Sequence, residues 1–346
     1  MKKLLAFVLT LIFLSLSLVS CDISSIKEII FGKDENQVEE KPSEGLDFKL
    51  NDDGASYSVR GIGVCEDVDV VIPSSYNGLP VTSIKRGAFD HCYALTSIVI
   101  SKSVITMDES PFEGCLALEK IDVHKDNPAY KSIDGNLYSK DGTVLIKYAI
   151  GKKDTSFTIP NFVTSIGYRA FERAQYLENV EMPDSVNSVG DRAFSWCSSL
   201  KSVKLSNSIK AISNGMFNYC TSLTDVAIPD SVKSIGSSAF EACKSLSKIV
   251  IPDGVTIINN YTFSNCESLK SVNIPSSVTK IGAYAFSSCE SLTKIVIPDS
   301  VERIDGFAFN YCSSLTVYCE ANSKPHTWHV YWKPSEVPVV WGYTGE

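Results

Sequence analysis

The chain has 346 residues, 44% of them apolar, and a net charge of −8 from 32 basic and 40 acidic side chains. That length holds two or three ordinary domains or one long repeat array. The acidic balance argues against nucleic acid or an anionic lipid surface as the main partner, because both select a basic face.

The first residues look like a processing segment. Lys2 and Lys3 precede an uncharged apolar run from Leu4 to Val19, which ends in Leu18-Val19-Ser20-Cys21. The small Ser20 directly before Cys21 resembles a bacterial lipobox. Residues 1–20 are therefore expected to be a lipoprotein signal peptide, with Cys21 the lipidated residue and the lipid a membrane anchor. The plainer alternative is an ordinary secretory signal with a chance cysteine. The run is at the short end of what spans a bilayer. Residues 21–45 are expected to be the lipidated cysteine and a flexible tether, since Asp34, Glu35, Glu39, Glu40 and Glu44 crowd a stretch with little apolar content.

From residue 46 the chain is expected to be one domain. Leu46 to Leu50, a turn over Asn51 to Gly54 and Tyr57 to Val59 form a hairpin pattern within an N-terminal cap, 46–80. The repeats follow. A 23-residue step leads from Phe89 to Phe112, and the same step links Phe171, Phe194, Phe217, Phe240, Phe263, Phe286 and Phe309. Six residues after each stands a leucine, from Leu95 to Leu315. Ser231 to Pro252 shows the unit nearly intact. Leu246-x-x-Ile249-x-Ile251 has leucine-rich-repeat spacing, its alternation is that of a strand, and Pro252 ends it. The apolar spacing of Ile235 to Cys243 predicts a short helical or 3₁₀ turn on the outer side.

The strand slots at Ile121 and Phe157 are further apart than one repeat step, and no phenylalanine turn lies between them. Asp141-Gly142 between alternating flanks predicts an inserted hairpin within 124–156. After Leu315 the register fades, with Tyr318 and Glu320 where isoleucine is expected. Trp328, Trp332 and Trp341 are expected to cover the last rung in a C-terminal cap, 316–346. The expected fold is thus an α/β leucine-rich-repeat solenoid. It has a curved parallel sheet on the concave side, short helical or 3₁₀ turns outside, one inserted hairpin and two caps.

The Ala-Phe-x-x-Cys turn and the Ile-Pro strand end resemble the BspA-like, treponemal-type leucine-rich repeats. So do Tyr76 to Ile84, Ser139-Lys-Asp-Gly142 and Pro338 to Tyr343. The likeness covers most of 46–346. Departures are local: Ala174 replaces the cysteine, and Asp108 and Asn259 replace the glycine. The resemblance implies a surface-exposed protein of a host-associated bacterium, with adhesins among its relatives and no shared catalytic residues.

Eight cysteines, Cys92, Cys115, Cys197, Cys220, Cys243, Cys266, Cys289 and Cys312, fall three residues after the phenylalanine. That phase predicts buried thiols, although neighbouring rungs are close enough for disulfides by distance alone. Cys65 and Cys319 lie in the caps, where the pattern leaves their state open. No paired Cys-x-x-Cys suggests zinc, and His326-Thr-Trp-His329 is best read as cap polarity rather than a metal pair. No nucleophile elbow, phosphate loop or dinucleotide fingerprint is present, so no cofactor and no enzymatic activity are expected.

Two faces are candidates for binding. The strand residues that alternate with the core are Lys120, Asp122, Glu181, Lys204, Asp225, Lys248, Val250, Asn273, Lys294 and Val296, a mixed surface suited to a protein. On the turn side, Trp196, Tyr219 and Tyr311 share one variable position and Tyr261, Tyr284 and Phe307 another; aromatics anchor proteins and also stack on glycans. The expected function is a lipid-anchored, cell-surface adhesion or binding protein that engages a host matrix or cell-surface protein. The alternatives are a carbohydrate-binding module and a structural envelope protein.

Overall fold

The computed structural model describes residues 41–345. The expected signal peptide, Cys21 and the tether up to residue 40 lie outside the described residues.

Most repeats contribute one short strand to a parallel stack, at a 23-residue offset through the regular rungs. Asn179–Glu181 pairs with Ser202–Lys204 through Val180 and Val203, and Lys248–Val250 pairs with Ser271–Asn273 through Ile249 and Val272. The inward residues Val180, Val203 and Ile249 are buried, while the residues on either side of each are exposed. At several rungs a proline, such as Pro183, Pro252 or Pro275, follows the strand and removes a ladder donor, while Ser206 stands in that place after Ser202–Lys204. The stack runs in segments. At Val226 only an isolated bridge, Ser202 to Asp225, carries the pairing.

The outer turns are not helical, which corrects the α/β expectation: the described residues contain strands and turns, and the molecule is a β-solenoid of about 12 turns. The backbone donors explain why. In a helix the amide of Phe171 would bond four residues back. Here it bonds the carbonyl of Ala193 in the next rung at 2.8 Å, and Phe240 bonds Thr262 at 2.9 Å and Phe263 bonds Ala285 at 2.8 Å in the same way. The amides of Arg173 and Trp196 likewise reach Ser195 and Asn218. To aim these groups outward, each turn places the residues two before and two after its phenylalanine in the left-handed region. Ser238 and Ala242 have φ of 55° and 58°, and Ser288 has 58°. Such a conformation is strained for any residue with a Cβ.

The same rerouting builds a second parallel sheet that the spacing did not predict. The isoleucine or valine before the turn pairs with its counterpart one rung on, in two-residue strands such as Ser165–Ile166 with Ser188–Val189 and Ile257–Ile258 with Lys280–Ile281. The core between the two sheets is filled by the phenylalanines. Phe171 to Phe309 stack ring on ring at 4.7 to 5.7 Å, each fully buried.

Three places depart from the repeat. Tyr130–Ile133 and Asn136–Ser139 form an antiparallel hairpin turned at Asp134-Gly135. Val144–Lys147 pairs back on Asn136–Ser139 and then joins the second sheet beside Ser165–Ile166. Tyr148, one full repeat step before Phe171, fills the phenylalanine slot and stacks on it at 5.2 Å. At the start, Asp47–Leu50 and Tyr57–Gly61 form an antiparallel hairpin whose second strand begins the second sheet, and Ser43 already bonds the backbone of Val71. At the end the strand register shifts by one residue and does not fade. Val317 and Cys319 take the inward slots of Thr316–Cys319, and Val339–Trp341 pairs beyond it. Trp332, one full repeat step after Phe309, meets that ring edge-on at 5.8 Å, and buried Trp328 donates its indole N–H to the Val301 carbonyl.

Two outcomes are expected from this packing. Phe240→Ala, between Phe217 and Phe263, costs about 3–5 kcal/mol in denaturant unfolding, from lost burial and the cavity left behind. Ser288→Gly stabilises the fold by about 0.5–1 kcal/mol by relieving a left-handed backbone, whereas Ser288→Val destabilises it by at least about 1 kcal/mol; equal unfolding midpoints for the two variants would contradict the strain assigned to the turns.

Candidate functional site

The alternation of the strands leaves one continuous face of outward side chains. Lys120, Glu181, Lys204, Asp225, Lys248, Val250, Asn273 and Lys294 are exposed there, and Asp122 and Val296 are half-buried. Because rungs are in register, these side chains meet their neighbours across rungs. Lys204 pairs with Glu181 and Lys201 with Glu178 at 2.8 Å, whereas Lys120 pairs with Asp122 on its own strand at 2.7 Å. The Glu181 carboxylate holds the Lys204 ammonium above its ordinary range, through their hydrogen bond first and their opposite charges second.

Towards the C-terminal end the face changes character. Val250 is 65% exposed, and Val296, Tyr318 and Val340 follow one another across three paired strands. The Lys294 ammonium lies 4.8 Å from the Tyr318 ring and 4.6 Å from that of Tyr343, and donates to the Tyr343 hydroxyl at 2.7 Å. Tyr318 and Tyr343 are not among the sequence candidates. The one-residue register shift at Val317 hides from the repeat pattern that Tyr318 continues the outward row.

On the turn side five of the six candidate aromatics are joined in two stacks. Trp196 and Tyr219 lie face to face at 4.1 Å, with the Arg173 guanidinium 5.2 Å from the indole. Tyr261, Tyr284 and Phe307 form the other, at 5.0 and 5.2 Å, and Tyr331 of the C-terminal segment extends it at 6.1 Å. Tyr331 carries no repeat signal, being one residue off the 23-residue step from Phe307. Tyr311 stands apart, 72% exposed. All six sit at the left-handed turn positions. Stacking covers the flat faces of the inner rings, so the rows present mainly edges.

The cysteines are structural. Every cysteine of the described residues is a free thiol, Cys65 and Cys319 included. Seven rung thiols donate to the phenylalanine carbonyl of the preceding rung, among them Cys197 to Phe171 and Cys220 to Phe194, both at 3.0 Å. Burial pushes the thiols of Cys115 and Cys319 up to about 12, and those of Cys220, Cys243 and Cys289 well above the ordinary range. His329 is tied locally, its Nδ1 accepting from the Tyr331 amide at 3.0 Å, and His326 is exposed. Among the described residues no three His, Cys, Asp or Glu side chains come together as a metal site.

These geometries agree with the comparisons to known proteins. The family described as BspA type Leucine rich repeat region (6 copies) matches residues 68–143, 149–256 and 233–323. A leucine-rich cell surface protein from Faecalibacterium prausnitzii A2-165 is 35% identical with a TM-score of 0.53, over 59% of this chain and 52% of that one. The pneumococcal vaccine antigen PcpA shares the fold at 20% identity and a TM-score of 0.55, over 77% of this chain and 60% of its own. The chain thus spans between half and three-fifths of the length of these two structures. No curated protein matches it.

With thiols so placed, alkylation of the native protein by iodoacetamide at pH 8 is expected to label half-buried Cys65 and Cys92 first. Cys220, Cys243 and Cys289 should react only after unfolding, as read by peptide mass spectrometry.

Proposed function

The chain belongs to the BspA-type leucine-rich-repeat family, and on that footing we propose that it is an exported, lipid-anchored surface protein that binds a protein partner through the C-terminal half of its strand face. The observation that carries this reading is the change along that face. Nearer the N-terminus its charges are paired with one another, Lys120 with Asp122 and Lys204 with Glu181, so a partner would gain little from them. From Val250 onward it offers exposed valines and Tyr318 beside the Lys294 ammonium. Apolar and aromatic groups rimmed by polar ones are what a protein interface uses as its centre.

Export and anchoring rest on the pattern of residues 1–20 and Cys21, and a surface location is in keeping with the relative described as a leucine-rich cell surface protein. The partner class is a matrix or cell-surface protein. Neither a cofactor nor a catalytic role is part of the reading, since the family is one of repeat proteins. The turn-side aromatics favour carbohydrate less than their number suggests, because a pyranose needs an open ring face. The stacks leave that only at their ends, where Tyr219 faces the Ala242 rung and Tyr261 the Ser238 rung.

The test is surface plasmon resonance of the mature chain against a panel of purified extracellular-matrix proteins. Val250→Asp and Tyr318→Ala are each expected to weaken the captured interaction about tenfold or more, with Trp196→Ala near neutral. Binding that ignores both strand-face variants, or that is lost only with Trp196→Ala, would refute the assignment to this face.

A further inference from the structure

The ring stack is interrupted at one place, and the buried charge of the described residues is concentrated there. The ring stack that joins Phe89 to Phe112 is interrupted by the hairpin and resumes at Tyr148. The apolar core divides in the same region into two clusters. Against the N-terminal cluster lies a cavity of about 230 Å³, with Met107, Phe112, Tyr130, Leu137 and Ile146 as apolar walls and Ser110, Lys147 and Arg169 as its polar ones. Lys147 stands one full repeat step before Ala170, in a slot where other rungs carry Ala193, Ala239, Ala285 and Ala308. A lysine in an alanine slot is costly in a core unless something uses its charge.

Lys147, Arg169 and Glu172 are the only buried charged side chains among the described residues. Arg169 Nη1 donates to Glu113 and lies 3.6 Å from Glu172. Lys147 Nζ donates to the Arg169 carbonyl at 3.1 Å. The surplus is on the donor side. Arg169 Nε and Ser110 Oγ are buried without a partner, and an ammonium has three hydrogens to give. A buried donor left unpaired keeps its full desolvation penalty, so an acceptor brought from outside would recover that energy.

We propose that this cavity is a binding site for a small monocarboxylate with an apolar body. Its oxygens accept from Ser110 Oγ, Arg169 Nε and the remaining Lys147 hydrogens, and its hydrocarbon lies against the apolar walls. The carboxylate brings a negative charge in among Arg169, Lys147, Glu113 and Glu172, and favours the charged form of Lys147, which burial otherwise pulls below its ordinary range. Glu172 can absorb that change by taking up a proton, because burial already raises its carboxyl above the ordinary range against the pull of Arg169 and Lys147. Asp108 and Glu109 line the opening and are exposed, which disfavours a second negative group on the ligand. The site is separate from the strand face and does not depend on the function proposed for that face.

Isothermal titration calorimetry of the mature chain with octanoate, octanamide and octylamine tests the assignment. Octanoate is expected to bind with a Kd below about 1 mM, at least about tenfold tighter than octanamide, with no binding of octylamine. Ser110→Ala should weaken octanoate about five- to tenfold, and Ile146→Trp, which fills the cavity, should abolish binding while the melting temperature of the free protein is kept. If Ile146→Trp does not fold, Ser110→Ala alone decides. Equal or tighter binding of octanamide or octylamine, no octanoate binding, or octanoate binding unmoved by Ser110→Ala would overturn the proposal.

Discussion

The structure depends on where the amide of each turn phenylalanine finds its acceptor. It bonds a carbonyl one rung on, as Phe171 does with Ala193, and a helix is thereby ruled out locally. With its donors committed outward, the turn can close only by passing twice through the left-handed region. The paired sheets, the ring stack and the thiol contacts all follow from the same one-rung offset. A single 23-residue unit could satisfy almost none of these groups alone, so the stability of each rung lies in its neighbours.

This also explains what can be read from the chain alone. The periodicity of Phe, Leu and Ile reveals stacking because identical side chains meet identical side chains, and strand alternation reveals which residues face outward. The turn misleads because Ile235 to Cys243 has apolar residues at spacings that suit a helix, while nothing about Ser238 or Ala242 announces a positive φ. Glycine would be the signal, and most of these positions lack it. The second sheet is hidden for a related reason: its two-residue strands are too short to show alternation. Tyr148 and Trp332 are legible, since both lie on the 23-residue step; they do not stand out because they are not phenylalanine.

At the candidate surfaces the sequence locates residues but not their relations. Which lysine pairs with which carboxylate depends on rung register, and so does the stacking of Trp196 on Tyr219. Tyr318 and Tyr343 meet at Lys294 only because the final strands slip by one residue. The buried cluster at the break is the least visible feature. Lys147 and Arg169 look like ordinary surface charges until the slot of Ala170 is traced back through the hairpin.

The break has a further consequence for how such a chain can change length over generations. From Phe171 to Phe309 the rungs are interchangeable in period, so unequal exchange between tandem copies of the coding sequence can add or delete a whole unit and leave every junction chemically alike. Each event would lengthen or shorten the strand face by about 4.8 Å. No such exchange can run smoothly through the hairpin, because a partial unit there would shift Tyr148 off the stack. Length is therefore a variable that the uniform rungs would tolerate and the hairpin would not, since the cavity draws its walls from both sides of it.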